Sequence, residues 1–343
     1  MKRVIQAVAA FAVGIAVAAG AAAQAPEKKK ITIAVGGKSL FYYLPLTVAE
    51  RQGYFKDEGL EVEIPNFAGG SQALRALVGG SADMVSGAYE HTINMVAKKQ
   101  PIKAVVLQAK YSSMVLVLPN DKASKYRSGK DLKGMKIGVT APGSSTNMFV
   151  NALLAKDGLK PTDVVIVGVG TGTGAFAALE KGEIDALVNL DPVVTQLEST
   201  GKFKPVVDTR TEKGMNEVYG GDYHASVIYI TEEFIKKNPN TVQALTNATV
   251  RTLLWMQEAS PQQILAAVPE EYLLGNKAMY LFAYNNVKSA YSKDGYISEA
   301  GAKTTLKALA SFNPNIKPAE INLAQTYTNE FVKKAHAKHG KKK

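Results

Sequence analysis

The sequence predicts an α/β protein of two similar lobes, each a mostly parallel sheet flanked by helices. Three observations lead to this fold class: the chain length, the order of strand and helix patterns, and an internal repeat. With 343 residues, the chain can form two domains of common size, each with its own core. Strand patterns alternate with helix patterns along most of the chain, which predicts parallel βαβ units.

The internal repeat relates residues 67–85 to a segment that starts at Val169. Both segments, FAGGSQALRALVGGSADMV and VGTGTGAFAALEKGEIDALV, combine a glycine turn, a short helix pattern and an apolar strand pattern. Identical residue types recur 102 positions after Gly70, Ala73, Leu77, Gly80 and Asp83. A unit used twice predicts two similar halves, and we expect the functional site in the cleft between them. Asp83 and its counterpart Asp185 are expected to cap turns rather than to form a catalytic pair.

The first half of the chain begins with the β-branched run ITIAVGG at 31–37, which predicts a strand that ends in glycines. The following segment, LPLTVAERQGYF, predicts one helix, and the alternation in LEVEI at 60–64 predicts the next strand. After the repeat unit, IKAVVLQA at 102–109 predicts a further strand.

The second half repeats this order from MKIGVTAPG onward, with a helix pattern in SSTNMFVNALLAKDG and a strand pattern in DVVIVGVG. A late strand is predicted for SVIYIT at 226–231, and helices are predicted for the chain after Glu232. We therefore expect the chain to cross between the lobes twice, near 108–114 and near 220–226. The predicted boundaries are a first lobe of 24–110 and 224–335, a second lobe of 111–223, and a basic tail of 336–343.

The first 23 residues predict a secretory signal peptide. Lys2 and Arg3 precede an apolar run from Val4 to about Ala19, and small residues follow up to Ala23. We expect cleavage after Ala23, because a cut two residues later would place a proline next to the scissile bond. The alternative is a membrane anchor, which is disfavoured because the run is rich in weakly apolar alanine. The expected location of the mature protein is the periplasm.

Composition excludes several classes of site. The chain contains no cysteine, which removes disulfides, thiolate metal sites, cysteine nucleophiles and the cysteine that would carry a lipid anchor. The net charge of +11 is concentrated at the two ends, and residues 31–332 carry 30 basic against 29 acidic side chains. Such terminal clusters are typical of solvated tails, and nucleic-acid binding is not expected. No cofactor and no metal site are predicted.

Four segments together carry a family resemblance: PLTVAERQGYFKDEGLEVEI, GGSQALRALVGGSADM, DLKGMKIGVTAPGSSTN and LLAKDGLKPTDVVIVGVG. In this order they resemble the nitrate/sulfonate/taurine group of periplasmic substrate-binding proteins, over roughly residues 31–230. The resemblance implies a type II two-lobed fold that closes on a small anion or zwitterion. It also implies partners, namely the permease subunits of an ABC importer with a cytoplasmic ATPase. We expect a monomer.

An enzyme on the same fold is the alternative, because a distant relative of this family makes a thiamine pyrimidine precursor with a histidine and a cysteine-rich motif. The present chain has no cysteine, no metal-spaced histidine pair and no G-x-S-x-G motif. The effector half of a transcription regulator would not carry a signal peptide. The sequence therefore favours a solute receptor that is not an enzyme and has no catalytic residues.

Candidate ligand-binding residues lie where strands end and helices begin. In an open α/β sheet, ligands bind beyond the carboxyl ends of the strands, and helix N-termini offer unpaired N–H groups to anions. Two helix openings rich in glycine and hydroxyl groups, one in each half, are predicted to face the cleft. Together with residues after other strands and after the second crossing, they give a predicted site of Gly70, Ser71, Ser144, Ser145, Thr146, Lys38, Ser39, Phe41, Tyr42, Tyr89, Glu90, His91, Asn189, Asp191, Tyr223 and His224.

A structural role is an open alternative for several of these residues. For the serine and threonine hydroxyls, the alternative is helix capping alone. For Phe41 and Tyr42 it is packing under the first helix, and for His91 it is a surface or core position.

The predicted ligand depends on two acidic residues. Lys38 and the helix N-termini favour an anionic head group such as a sulfonate or carboxylate. Glu90 and Asp191, if ionised and turned inward, would repel a simple anion such as nitrate and would suit an amine or hydroxyls at the other end of the ligand. The expected ligand is a taurine-like zwitterion or an amino or hydroxy organic acid. The tyrosines of the predicted site leave an aromatic acid as an alternative.

Overall fold

The computed structural model describes residues 25–340, in which ten strands form two five-stranded sheets. The strands in chain order are β1 (Lys30–Ala34), β2 (Glu61–Glu63), β3 (Met84–Ala88), β4 (Ile102–Ala109), β5 (Val115–Pro119), β6 (Lys136–Val139), β7 (Val165–Gly168), β8 (Ala186–Asn189), β9 (Phe203–Asp208) and β10 (Ser226–Thr231). The first sheet has the strand order β2-β1-β3-β10-β4, and the second has the order β7-β6-β8-β5-β9. The predicted signal peptide lies outside the described residues.

Each sheet is parallel except for the one strand that enters it directly after a crossing between the lobes. β5 runs antiparallel to its neighbours β8 and β9, and β10 runs antiparallel to β3 and β4. The other pairs are parallel. The chain leaves the first sheet after Ala109 and returns to it at Ser226, so both crossings lie where they are predicted. The two-lobed α/β fold with mostly parallel sheets is therefore confirmed.

Fifteen α-helices flank the two sheets within the described residues. In chain order they are α1 (Leu44–Arg51), α2 (Tyr54–Asp57), α3 (Gly70–Val78), α4 (Glu90–Ala97), α5 (Asn120–Ala123), α6 (Ser145–Lys156), α7 (Thr173–Glu180), α8 (Val193–Ser199), α9 (Glu212–Tyr219), α10 (Glu232–Lys237), α11 (Pro239–Glu258), α12 (Pro261–Ala266), α13 (Lys277–Val287), α14 (Glu299–Ala310) and α15 (Glu330–His339). The helices α10 to α15 follow the last strand and form the helical C-terminal segment that the sequence predicts.

The first helical segment departs from the prediction of a single helix. α1 ends and α2 begins on either side of Gly53, which has a φ of 74°. Glycine adopts this left-handed conformation without steric cost, and such a residue interrupts an α-helix. Both short helices nevertheless pack against α11, which places them on the first lobe.

The central strands of both sheets are buried on both faces. Every residue of β3 is buried, as are the first four residues of β5. Helices cover both faces of a parallel sheet, so its inner strands are apolar without alternation. Among residues 25–340, no helix is long and apolar enough to cross a membrane.

The basic C-terminal segment differs from the predicted solvated tail as far as the structure describes it. α15 continues to His339 and packs against α11. Lys338 Nζ lies 2.7 Å from a carboxylate oxygen of Glu58, and His339 Nε2 lies 3.0 Å from the other. These contacts attach the end of the helix to the first lobe, a pairing that composition alone does not reveal.

The repeated aspartates hold equivalent positions in the two lobes. The side chain of Asp83 accepts a hydrogen bond from the N–H of Thr32 at 2.9 Å, and that of Asp185 accepts one from the N–H of Lys136 at 2.8 Å. Thr32 belongs to β1 and Lys136 to β6, the first parallel strand of each lobe. Each aspartate precedes its own strand, so it lies at the amino edge of the sheet, opposite the cleft. Its role is structural, as the sequence analysis expects.

We predict that Asp83→Ala and Asp185→Ala each lower the free energy of unfolding by about 1–2 kcal/mol, because each removes an acceptor from a strand N–H. Urea denaturation of the purified variants measures this loss. Glu61→Ala, which changes an exposed carboxylate on β2, is the matched control. Equal stability of all three variants would contradict the assigned role.

Candidate functional site

The two lobes meet at the helix openings that the repeat predicts. The N–H of Ser71, at the start of α3, donates to Ser144 Oγ at 3.0 Å. Ser71 Oγ donates to the carbonyl of Pro142 at 2.9 Å, and Ser144 Oγ lies 3.2 Å from Ser71 Oγ. Ser144 is the N-cap residue of α6, yet its hydroxyl bonds to the other lobe rather than to its own helix. The two predicted anion-binding openings are thus bonded to each other.

Glycines allow this close approach of the lobes. A Cβ atom on Gly69 would lie 2.7 Å from the Cβ of Ala141 and 2.9 Å from Ser144 Oγ. A second inter-lobe bond runs from the N–H of Phe41 to the carbonyl of Asp191 at 2.9 Å. The structure therefore has the lobes in contact across the cleft.

The remaining hydroxyl residues of the second opening have local roles. Thr146 Oγ1 accepts from the N–H of Thr140 at 3.1 Å and lies 2.9 Å from its hydroxyl, which fixes the loop between β6 and α6. Ser145 is half-buried. In the first opening, Gly70 is half-buried and lies close to the ring of His91. Closure of the loop before α6 thus accounts for the described side-chain bonds of Thr146.

Asp191 is buried, but its carboxylate is already bound within the second lobe. One oxygen accepts from the N–H and hydroxyl of Thr195, at 2.9 and 2.7 Å, and the other lies 3.1 Å from Arg210 Nη1. Burial raises the pKa of Asp191, and the guanidinium opposes that shift. Arg210 also pairs with Asp208 and Glu198. This network holds the loop whose carbonyl contacts Phe41.

Glu90 is the second buried acid, and it has no cationic partner among the described residues. Its Oε1 accepts from the hydroxyl of Tyr223 at 2.7 Å, while its Oε2 has no hydrogen-bond partner within residues 25–340. Burial raises the pKa of Glu90 to about 7. The group can therefore exist as a neutral acid or as a carboxylate near neutral pH.

Four tyrosines surround this carboxyl group, and we call them together with Glu90 the Glu90 cluster. Burial raises the pKa of each phenol, and the charge of Glu90 raises it further. The rings of two members stack with their centroids 4.1 Å apart. The four residues are Tyr42, Tyr219, Tyr223 and Tyr229, with Tyr219 and Tyr223 forming the stack.

Four further buried polar atoms near the junction of the lobes have no partner in the described part of the chain. They are the hydroxyl of Tyr42, Nε2 of His91, Nε2 of Gln108 and Nδ2 of Asn189. Gln108 Oε1 accepts from Ser86 Oγ at 2.7 Å, which leaves its amide nitrogen free to donate. Gln108 and Asn189 lie at the carboxyl ends of β4 and β8, one in each lobe. An unsatisfied buried polar group costs about 1–3 kcal/mol, so such a set indicates a ligand site.

The two predicted histidines have contacts within the fold. His91 Nδ1 lies 3.0 Å from the hydroxyl of Tyr229, and burial lowers the pKa of His91 to about 4. His224 Nε2 contacts the backbone of Ser298, and its ring packs edge-on against Tyr89 at 5.4 Å. Both imidazoles are therefore neutral near pH 7, since burial also lowers the pKa of His224.

Of the predicted site residues that follow β1 and β3, some pack within the fold and others belong to the Glu90 cluster. Lys38 Nζ lies 3.1 Å from Glu50, so the expected point charge already has a partner. Phe41 packs edge-on against Tyr280 of α13 at 4.7 Å. Ser39 is half-buried, and the hydroxyl of Tyr89 bonds to Thr326 at 2.6 Å. The structure thus brings Tyr42, Glu90 and Tyr223 together and gives the other predicted aromatics packing roles.

The sequence analysis did not identify Gln108 and Tyr219 as part of the candidate site, nor Arg210 as the partner of Asp191. A lone amide at the carboxyl end of the apolar segment IKAVVLQA is a signal that could have indicated Gln108. Tyr219 precedes Tyr223 by four residues around the two glycines of the second crossing. Arg210 carries no such signal, because its acidic partners come from separate elements.

Comparison with known proteins places the chain in a family that contains both enzymes and binding proteins. An enzyme named 4-amino-5-hydroxymethyl-2-methylpyrimidine phosphate synthase THI13, from Saccharomyces cerevisiae, is 26% identical over 64% of this chain and 64% of its own length. The enzyme of the same name from Candida albicans is 24% identical over 88% of each chain. The expectation that the chain is not an enzyme is therefore contradicted. The chain spans slightly less than two thirds of the yeast relative.

Solved structures show the same fold. A structure from Bordetella bronchiseptica RB50 has 52% sequence identity and a TM-score of 0.89, and the match covers 92% of this chain and 99% of that one. The alkanesulfonate-binding protein SsuA from Xanthomonas axonopodis pv. citri, bound to MOPS, is 18% identical with a TM-score of 0.65, covering 88% of this chain and 99% of that one. The periplasmic nitrate-binding protein NrtA from Synechocystis is 14% identical with a TM-score of 0.71, covering 92% and 90%.

These likenesses confirm the two-lobed fold of periplasmic binding proteins and the resemblance to the nitrate/sulfonate group. The family model described as NMT1/THI5 like matches residues 41–264, which is well over half of the chain. The protein belongs to the NMT1/THI5-like family.

Proposed function

We propose that the protein is the solute-binding component of an ABC importer. It captures a small polar organic solute between its lobes and delivers it to the membrane permease subunits, whose ATPase is cytoplasmic. The observation that carries this proposal is the set of unpartnered buried atoms on both sides of the cleft: Tyr42 OH, Glu90 Oε2, Gln108 Nε2 and Asn189 Nδ2. A solute that bonded to both lobes would stabilise the arrangement in which they meet.

The family and the fold support this role. SsuA and NrtA are named as binding proteins for alkanesulfonates and nitrate, and both have the fold described above. The proposal includes a location in the periplasm, which the likeness to the periplasmic protein NrtA supports, and export through a signal peptide cleaved after Ala23. A monomeric state remains a prediction.

The site supports an organic solute better than an inorganic anion. The expected anion-binding openings at Ser71 and Ser144 bond to each other, and Lys38 pairs with Glu50. The groups without partners in the described part of the chain include two amide nitrogens, a phenol, a carboxyl oxygen and one ring nitrogen each of His91 and His224. Such a set suits a ligand with several hydrogen-bond donors and acceptors. The carboxylic acids and zwitterions that the sequence favours as ligands are included among the solutes to be screened.

A second candidate function is synthesis of the pyrimidine phosphate named in the relatives. The observation in its favour is the similarity to those enzymes, which extends over 88% of the chain for the Candida albicans protein. Incubation of the pure protein with candidate precursors, followed by mass spectrometry of the small molecules and of the protein, distinguishes turnover or self-modification from binding. Formation of the pyrimidine phosphate would establish this second function.

We predict that at least one small organic solute raises the melting temperature of the pure protein and is recovered unchanged. Binding to the folded state alone stabilises it by about 2–3 kcal/mol at a solute concentration one hundred times Kd. A thermal-melt screen of sulfonates, carboxylates, amino acids, amines, polyols, nitrate and bicarbonate tests this. The absence of any stabilising solute in the whole screen would contradict the proposed function.

We predict that Ser144→Ala shifts the lobes toward an open arrangement, because the N–H of Ser71 loses its acceptor in the other lobe. The loss of about 1 kcal/mol from the closed state weakens solute binding about fivefold. Small-angle scattering and isothermal titration with a solute from the screen measure both effects.

The matched control for this variant is Ser145→Ala, which removes the neighbouring half-buried hydroxyl from the same helix opening. The control should keep the affinity and the radius of gyration of the unchanged protein. If both variants behave alike, the bond between Ser71 and Ser144 does not hold the lobes together.

A further inference from the structure

The two buried acids of the cleft differ in how their charge is compensated. Asp191 has Arg210 at 3.1 Å and two bonds from Thr195. Glu90 accepts from the neutral hydroxyl of Tyr223, and its own backbone N–H at the start of α4 also favours the charged form. Removing a carboxylate from water costs several kcal/mol unless a cation and hydrogen bonds replace the solvent. Glu90 is therefore the acid that the described residues leave without a cationic partner.

No cation in the described part of the chain is in place to compensate Glu90. Arg210 is shared among three carboxylates, and Lys38 pairs with Glu50. Lys110 lies 5.4 Å from the ring centre of Tyr111, in the first crossing. His91 follows Glu90 in the chain, but its Nδ1 bonds to Tyr229 and burial keeps its ring neutral.

The surroundings of the free carboxyl oxygen suit a cation and oppose an anion. A negatively charged ligand beside Glu90 would add like-charge repulsion to the cost of burial. An ammonium group would supply both the missing charge and the missing donor.

We infer that the solute is a small amine, with its ammonium group bound to Oε2 of Glu90. This inference rests on the proposed function and names the class of its ligand. The free amide nitrogens of Gln108 and Asn189 donate to an acceptor atom elsewhere on the ligand, such as a hydroxyl oxygen. Glu90 is thus the residue that determines specificity, and in its ionised form it excludes nitrate, sulfonates and simple carboxylates.

Matched compounds that differ only in one end group test this inference. Three series keep a hydroxyl at one end and place an amine, an alcohol or a carboxylate at the other: 3-aminopropanol, 1,3-propanediol and 3-hydroxypropionate; 5-aminopentanol, 1,5-pentanediol and 5-hydroxypentanoate; tyramine, tyrosol and 4-hydroxyphenylacetate. Isothermal titration at pH 8, above the pKa of Glu90, measures each affinity. In any series that binds, the amine should bind at least about tenfold tighter than both partners, a difference of about 1.4 kcal/mol.

Glu90→Gln should abolish the preference for the amine while keeping the shape of the side chain. Glu61→Gln, which changes an exposed carboxylate of the same lobe, should leave the preference intact. Circular dichroism and the melting temperature confirm that both variants are folded.

The outcomes separate the inference from the proposed function. Binding of carboxylates, sulfonates or nitrate in preference to every amine overturns the inference and leaves the role as a solute receptor standing. The same holds if Glu90→Gln retains the preference for the amine. If no compound of the series or of the wider screen binds, the proposed function fails, and the inference fails with it.

Discussion

The burial of one carboxyl group at the junction of the lobes is the constraint on which the account of this protein depends. Glu90 begins α4 directly after β3, the strand that is buried along its whole length. That position removes the group from water and leaves it the phenol of Tyr223 and its own backbone N–H as partners. A fold selected only for stability would favour an apolar side chain or an ion pair here. The surrounding tyrosines and free amides are best understood as the rest of a binding site.

The internal repeat places equivalent residues at both edges of the two sheets. Their roles are the same at the amino edge and differ at the carboxyl edge. At the amino edge of the sheets, Asp83 and Asp185 accept the same kind of strand N–H. At the carboxyl edge, Tyr89 and Asp191 occupy equivalent positions, but the hydroxyl of Tyr89 bonds to Thr326 whereas the carboxylate of Asp191 is held by Arg210. The repeat therefore accounts for the architecture, and the two lobes differ at the edge that faces the cleft.

The sequence predicts the fold well because its signals are local. The segments IKAVVLQA and SVIYIT are strands over the full predicted spans, and the crossings lie where predicted. The candidate site follows from the sequence only in part. Glu90, Tyr42 and Tyr223 are named from the sequence because they follow strands or a crossing, and their role in binding stays a prediction. The bond between Ser71 and Ser144 is not foreseen, since it joins residues 73 positions apart in different lobes.

The pH dependence of stability, compared between the protein and Glu90→Gln, tests the central claim most directly. Burial holds the pKa of Glu90 near 7, above its ordinary value of 4.5, so the folded state keeps a proton that the unfolded chain releases. This contribution to stability is complete below pH 4.5 and is lost as the pH rises through 7. Between pH 4.5 and pH 7, the free energy of unfolding of the protein should fall by about 3 kcal/mol relative to that of Glu90→Gln. Parallel profiles would contradict it.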